Sequence, residues 1–268
     1  MSTNDSLQLR VDDRPIGLFD SGIGGLTVLK TLVARFPEEN FVYLGDTARL
    51  PYGSKSPQTI GRYLDQNIEF LTKLNVKAVV VACNSASTVL LNGSLHAFSI
   101  PVYNVIEPGA EVAVRTSESK RIGVLGTKAT VGAKSYVQAI HKIDRDVIVF
   151  QQPCPLLVPL VEEGWEDDPI TNLIVYRYLA PILQAKVDTL ILGCTHYPAL
   201  KLAFEKVAGS SVKLVDSSEA IASMIKRDLD SGVLGHGKNT NGPGGNLLKI
   251  MTTDVSQSFY DVAVRMMK

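Results

Sequence analysis

Two cysteines stand in similar surroundings and could act as proton-transferring thiols. Cys83 lies in VVVACNSAS and Cys194 lies in LILGCTHYP. Each pattern predicts a buried strand that ends near the thiol and a helix that begins just after it. Free backbone N–H groups and the positive end of a helix dipole would then favour a thiolate. This matters because a thiol of ordinary pKa is only about 3% ionised at neutral pH.

Two opposed thiols suit the inversion of an amino-acid stereocentre. One group removes the proton from Cα on one face, and the other returns a proton on the opposite face. The repeated setting of Cys83 and Cys194 therefore predicts a racemase. The scheme requires neither a metal ion nor an organic cofactor, so we expect none.

Three further loops offer polar groups to a small substrate. Asp20 and Ser21 begin DSGIGG, whose glycines allow a tight turn and a close backbone approach to a carboxylate. Thr127, in LGTKAT, occupies the equivalent place later in the chain, and Pro51–Gly53 forms another loop after a predicted strand.

Other readings of these motifs are weaker. DSGIGG resembles a dinucleotide-binding turn, but Thr27 stands where that motif requires its last glycine. The three cysteines are too dispersed for the usual zinc patterns or for a disulfide framework. Cys154 has no counterpart in a repeat and is predicted to pack as a small apolar residue. Glu162 and Glu163, taken alone, are typical of a solvated acidic run.

The elements that must position these residues follow an α/β pattern. Short β-branched runs, predicted as strands of mostly parallel sheets, alternate with segments of helical period. The runs are PIGLFD, FVYLGD, VKAVVVAC, VYNVI, RIGVLGT, DVIVF, VDTLILGC and VKLVD. Ser56 and Pro57 predict the start of one helix, whose apolar residues from Ile60 to Leu74 recur every three or four positions.

A weak internal repeat predicts two similar doubly wound domains. IGLFDSG is echoed by IGVLGTK, and VKAVVVACNS is echoed by VDTLILGCTH at a nearly constant interval. We place the first domain at residues 14–107 plus 217–268 and the second at residues 108–216. If a pseudo-twofold axis relates them, the carboxyl ends of both sheets face one interdomain cleft, where the two cysteines meet.

Composition limits the classes of partner. The chain has 268 residues, with 27 Lys plus Arg and 27 Asp plus Glu, so no basic surplus points to nucleic acid or an anionic membrane. The sequence shows neither a signal-peptide pattern nor a long apolar stretch, which predicts a cytoplasmic protein that acts on a small molecule.

Six ordered motifs carry a resemblance to a known family. They are DSGIGGLTV, PYG, ACNSAS, LGTKAT, CPLLVPLVEEG and GCTHYP, and they run from near Pro15 towards the C-terminus. With them the chain closely resembles bacterial glutamate racemases of the aspartate/glutamate racemase superfamily. The resemblance implies cofactor-free interconversion of L- and D-glutamate that supplies D-glutamate for peptidoglycan, and it implies a homodimer.

The resemblance also implies roles for single residues. Cys83 would remove the α-proton of the D-enantiomer and Cys194 that of the L-enantiomer. Asp20 would assist the first thiol, while Glu162 and His196 would assist the second. Substrate contacts would come from Asp20, Ser21, Pro51, Tyr52, Gly53, Asn84, Ser85, Thr127, Thr195 and His196.

Two alternatives remain open from the sequence. The chain could be an aspartate racemase of the same superfamily, although DSGIGG and GCTHYP look like the glutamate branch. It could also be a non-catalytic regulatory protein that binds a small ligand in the same cleft, and such a protein would not need both thiols.

Overall fold

Two parallel sheets form the frame of the molecule. The computed structural model describes residues 10–93, 98–238, 247–255 and 257–267. All eight runs predicted as strands are strands, and the α/β fold class is confirmed.

The first sheet holds both the start of the chain and its tail. Its order is β4-β3-β1-β2-β9, and every neighbouring pair is parallel. Its strands are β1 Ile16–Asp20, β2 Phe41–Gly45, β3 Ala78–Val81, β4 Val102–Asn104 and β9 Leu248–Thr252. The tail therefore returns to this sheet through β9, which pairs with β2.

The second sheet repeats the connectivity of the first. Its order is β6-β5-β7-β8, and its pairs are also parallel. Its strands are β5 Arg121–Gly126, β6 Ile148–Pro153, β7 Thr189–Gly193 and β8 Lys213–Asp216. Read as β8-β7-β5-β6, it matches β4-β3-β1-β2 strand for strand, which is the order that the sequence repeat requires. The domain boundaries at residues 107, 108, 216 and 217 stay a prediction.

Helices cover the sheets and connect the parallel strands. Those beside the first sheet are α1 Leu26–Arg35, α2 Pro57–Lys73, α3 Asn84–Leu91 and α11 Gln257–Met267. The others are α4 Ile106–Thr116, α5 Lys128–Ala133, α6 Ser135–Ile143, α7 Leu157–Glu162, α8 Pro169–Gln184, α9 Lys201–Ala208 and α10 Ser217–Asp230. The side chain of Ser56 accepts from the backbone N–H of Thr59 and caps α2, as the sequence predicts.

The core explains why the strands have almost unbroken apolar sequences. β1, β2, β3 and β7 are buried along their whole length, because helices cover both faces of a parallel sheet. One buried cluster joins Leu18 of the first sheet, Leu190 of the second sheet and Phe204 of α9. In the described part of the chain, no helix is long and apolar enough to cross a bilayer.

Candidate active site

The first sheet places Cys83 where β3 ends and α3 begins. Cys83 is the N-cap residue of α3 and is 5% exposed. The hydroxyl of Ser87 donates to the carbonyl of Val81 at 2.9 Å and fixes this strand-to-helix turn. The thiol donates to the hydroxyl of Ser21, which follows β1, at 3.4 Å.

The second sheet places Cys194 directly after β7. Cys194 is 7% exposed, and its Sγ lies 3.9 Å from Nδ1 of His196. Nε2 of the same imidazole lies 3.2 Å from Oε1 of Glu162, the last residue of α7. Carboxylate, imidazole and thiol therefore form one chain of contacts. Of the two neighbouring glutamates, Glu162 is the one that faces His196.

Both thiols line a single cavity of about 320 Å³. Every residue predicted for the site borders this cavity except Asp20: Ser21, Pro51, Tyr52, Gly53, Cys83, Asn84, Ser85, Thr127, Glu162, Cys194, Thr195 and His196. A volume of this size suits a small metabolite. Leu50, Pro155, Val158 and Pro159 add an apolar stretch of wall that the sequence did not point to.

Asp20 lies behind the cavity wall, and its side chain is fully buried. Its carboxylate accepts from the backbone N–H of Gly22 at 3.0 Å and from the hydroxyl of Thr195 at 3.3 Å. Burial raises the pKa of Asp20, while the charge of His196 and these hydrogen bonds act against that rise. Direct contact between Asp20 and a substrate therefore stays a prediction.

The two sheets approach each other closely around the cavity. The hydroxyls of Ser85 and Thr127 lie 2.9 Å apart. A Cβ at Gly24 would lie 2.4 Å from Oγ1 of Thr195, and one at Gly53 would lie 2.6 Å from Cβ of Thr127. Glycine is required at both positions because no side-chain atom fits between the loops.

The structure corrects the prediction of a favoured thiolate at Cys83. Burial, and then the negative charge of Asp20, raise the pKa of Cys83 to about 12, although its hydrogen bonds with Ser21 and with the backbone of Ala86 oppose the rise. The helix N-terminus does not compensate for the loss of water. Without a ligand, Cys83 is therefore a neutral thiol at neutral pH.

His196 has the opposite character. Its burial disfavours the charged imidazolium, but hydrogen bonds and charge from Cys194 and Glu162 outweigh that cost and raise the pKa of His196 to about 10. The protonated imidazole places a positive charge beside Cys194, whereas Asp20 places a negative charge near Cys83. The two thiols are therefore unequal in their surroundings.

Cys154 lies outside the cavity. It is fully buried, and its thiol donates to the carbonyl of Gln152 at 3.4 Å. Its carbonyl accepts from the hydroxyl of Tyr197 at 3.0 Å. These contacts agree with the packing role that the sequence predicts.

One side chain behind the site carries no functional signal in the sequence. Tyr136, in α6, donates from its hydroxyl to Oδ1 of Asn84 at 2.8 Å. In the sequence, Tyr136 is one more apolar position of a helical period, so only the packing of the two sheets shows it near Asn84.

Comparison with known proteins agrees with this geometry. The model of the Asp/Glu/Hydantoin racemase family matches residues 23–225. The chain is 48% identical to a glutamate racemase of Geobacter metallireducens, over 82% of this chain and 82% of that protein.

Solved structures show the same architecture. A glutamate racemase isoform from Bacillus anthracis superposes with a TM-score of 0.87 at 36% identity, covering 94% of this chain and 93% of that one. The Francisella tularensis glutamate racemase in complex with D-glutamate also gives a TM-score of 0.87 at 36% identity, covering 96% and 94% of the two chains.

Proposed function

Since the chain belongs to the Asp/Glu/Hydantoin racemase family and is an isomerase, we propose that it interconverts L- and D-glutamate by two-base proton transfer at Cα. The observation that carries this proposal is the pair of thiols, Cys83 and Cys194, one from each sheet, on the wall of one cavity. We propose glutamate as the substrate because the relatives of similar sequence are glutamate racemases.

The reaction starts with one thiolate and one thiol. In the L-to-D direction, the Cys194 thiolate takes the α-proton, and its S–H bond forms as the Cα–H bond breaks. The electron pair left on Cα then takes the proton of the Cys83 thiol from the other face. The product is D-glutamate, with the negative charge now on Cys83, and the D-to-L direction is the reverse.

The surroundings of the two thiols support the assignment of one as the base and the other as the acid in the L-to-D direction. The imidazolium of His196, 3.9 Å from Sγ of Cys194, stabilises the thiolate that attacks L-glutamate. Cys83, whose pKa is raised to about 12, is a thiol and can supply the second proton. For the reverse reaction, the ammonium group of bound D-glutamate offsets the charge of Asp20 and assists ionisation of Cys83.

Neutral hydrogen-bond donors would hold the two carboxylates of glutamate. Hydroxyl and amide groups border the cavity from both sheets: Ser21, Asn84, Ser85, Thr127 and Thr195. Cys83 is the N-cap residue of α3, so the N-terminus of this helix also lies at the cavity and would favour an anion there. In the cell, this activity would supply D-glutamate for peptidoglycan, and we propose a homodimer as the working form.

Deuterium incorporation tests the proposal. Purified protein incubated with L-glutamate in D2O should form D-glutamate that carries deuterium at Cα. L-aspartate at equal concentration should react far more slowly. If glutamate binds but neither product nor exchange is observed, the proposed racemisation of glutamate is wrong.

Cysteine variants test the two-base scheme separately. Cys83→Ala and Cys194→Ala should each abolish racemisation, because one face of Cα loses its acid or base. Cys154→Ala is the matched control, since this buried thiol lies off the cavity, and it should keep normal turnover. Normal racemisation by either of the first two variants would refute the scheme.

A further inference from the structure

The side-chain amide of Asn84 has a hydrogen-bond partner at its oxygen but none at its nitrogen among the described residues. Asn84 borders the cavity and is 2% exposed. Its Oδ1 accepts the hydrogen bond from Tyr136 at 2.8 Å. Its Nδ2 is buried and has no hydrogen-bond partner among the described residues. A buried N–H2 group without a partner is costly, so a bound ligand is expected to supply an acceptor.

Tyr136 is locked in place behind this amide. Its side chain is fully buried. Its ring packs against two glycines, where an added Cβ would come within 3.1 Å of the ring at Gly193 and 3.5 Å at Gly109. Burial raises the pKa of Tyr136, so its hydroxyl keeps its proton and stays a hydrogen-bond donor. Ser217 Oγ, at 3.5 Å, is the more distant neighbour of this hydroxyl.

We propose that Tyr136 is a positioning residue that fixes which end of the Asn84 amide faces the substrate. A terminal amide has two orientations that fill the same space and differ only by exchange of oxygen and nitrogen. A donor at Tyr136 selects the orientation in which oxygen faces the tyrosine and N–H2 faces the cavity. The inference deepens the proposed glutamate racemisation and rests on it.

The orientation of the Asn84 amide should affect the binding of glutamate. Glutamate carries two carboxylates, which accept hydrogen bonds and repel an amide oxygen. With the amide reversed, the side chain of Asn84 would turn a lone pair towards an anion. Tyr136, from α6 beside the second sheet, thus prepares the first residue of α3, beside the first sheet, for binding.

Removal of the Tyr136 hydroxyl is the direct test. In Tyr136→Phe the ring still fills its site, but the Asn84 amide can reverse. KM for glutamate should then rise about tenfold, which is roughly the effect of losing one hydrogen bond to a charged group. kcat should change less than about twofold, because binding rather than proton transfer is weakened.

Tyr103→Phe is the matched control. This tyrosine is also buried, and its hydroxyl donates to Asp228 at 2.7 Å, away from the cavity. It should lose some thermal stability and keep the wild-type KM. If Tyr136→Phe and Tyr103→Phe give the same KM, the proposal is overturned.

Two variants of Asn84 complete the test. In an Asn84→Ala background, Tyr136→Phe should leave KM within about twofold, because its only route to the substrate is gone. A second full rise in KM would contradict the positioning role. Asn84→Asp places an oxygen where the amide N–H2 faces the cavity, so it should weaken glutamate binding more than tenfold. This variant keeps Tyr136, so its result does not depend on whether a tyrosine variant folds. Unchanged binding by Asn84→Asp would overturn the proposal.

These outcomes are separate from a failure of the proposed function. If the wild-type protein does not racemise glutamate, the two-base proposal is wrong. If it does racemise glutamate and the tyrosine variants behave alike, only the role of Tyr136 is wrong.

Discussion

At the scale of single residues, the main feature of the site is the inequality of its two thiols. Cys83 is buried beside a carboxylate, which raises its pKa to about 12. Cys194 lies beside an imidazole that is protonated well above neutral pH. A two-base enzyme needs one thiolate and one thiol at the start of each half-reaction. The charges placed near the two thiols already differ in the protein itself, because a carboxylate lies near Cys83 and an imidazolium lies near Cys194.

The pH dependence of the reaction should therefore depend on Glu162. Hydrogen bonds and charge from Cys194 and Glu162 hold the pKa of His196 at about 10, so its proton is lost only as the pH rises through that value. Glu162→Gln removes a negative partner, destabilises the imidazolium and lowers this pKa. The basic limb of the kcat/KM profile should move to lower pH by about one unit.

Glu163→Gln is the control for this shift. Glu163 is the exposed neighbour of Glu162 on the same short segment, so its loss of charge should leave the pH profile unchanged. An unmoved basic limb in Glu162→Gln would show that His196 does not control turnover through this contact.

Sequence patterns predicted the identity of these residues better than their ionisation. Cys83 and Cys194 stood out because their surroundings repeat, and both border the cavity. The sign of the pKa shift at Cys83 depends on burial and on the distance to Asp20, which only the folded chain sets. The contact of Tyr136 with Asn84 could not be predicted for the same reason, since Asn84 begins α3 beside the first sheet and Tyr136 lies in α6 beside the second.

At the scale of elements, the strands were predictable and their close approaches were not. A parallel strand covered on both faces has a nearly continuous apolar sequence, and β1, β3 and β7 show this pattern. By contrast, nothing near Gly53 in the sequence indicates that the 3-10 helix Tyr52–Ser54 touches Thr127 at the start of α5. Such contacts depend on how the sheets are packed.

Gly53→Ala tests that contact. The new Cβ would lie 2.6 Å from Cβ of Thr127, which is too close for two carbon atoms. The two loops must therefore move apart until these atoms reach a normal van der Waals distance. Displacement of a substrate-binding group by even about 1 Å can cost about a hundredfold in rate. Steady-state assays should show a fall in kcat/KM of at least about tenfold, with a circular dichroism spectrum like that of the wild type.

Gly132→Ala is the matched control in the neighbouring helix. A Cβ there meets no atom within 4 Å, and Gly132 lies inside α5. This variant should keep full activity and gain slightly in stability, because alanine is the better helix former. Full activity in Gly53→Ala would mean that the site tolerates a wider gap between the loops.

At the scale of the whole molecule, one buried ion pair joins four distant parts of the chain. Nζ of Lys77 lies 2.5 Å from Oε2 of Glu39, and the two side chains are only 1% and 3% exposed. The same ammonium donates to the carbonyls of Asp12 at 2.9 Å and Gly235 at 2.7 Å. Glu39 also accepts from the backbone N–H of Gly237 at 2.7 Å. The segment before β1, the loop before β2, the residue before β3 and the loop after α10 thus share one charged centre.

This ion pair lies far from the thiols along the sheet, so its loss should affect stability and not catalysis. Lys77 immediately precedes β3, whereas Cys83 follows the other end of that strand. Lys77→Met leaves the Glu39 carboxylate buried without its cation, which should lower the free energy of unfolding by about 3 kcal/mol. Below the unfolding transition, kcat and KM should stay at wild-type values, because the carboxyl ends of the strands keep their packing. Urea denaturation and glutamate turnover, measured on the same preparation, give the two quantities.

The partner variant distinguishes an unpaired charge from lost packing. In Lys77→Met combined with Glu39→Gln, no buried charge remains, so the double variant should be more stable than Lys77→Met alone. Lys226→Met removes an exposed cation paired with Asp230 and should change stability little, because exposed ion pairs contribute little. If the double variant were less stable than Lys77→Met, the cost would come from packing and hydrogen bonds. If Lys77→Met itself lowered kcat, this end of the sheet would be coupled to the thiols, contrary to the separation argued from the fold.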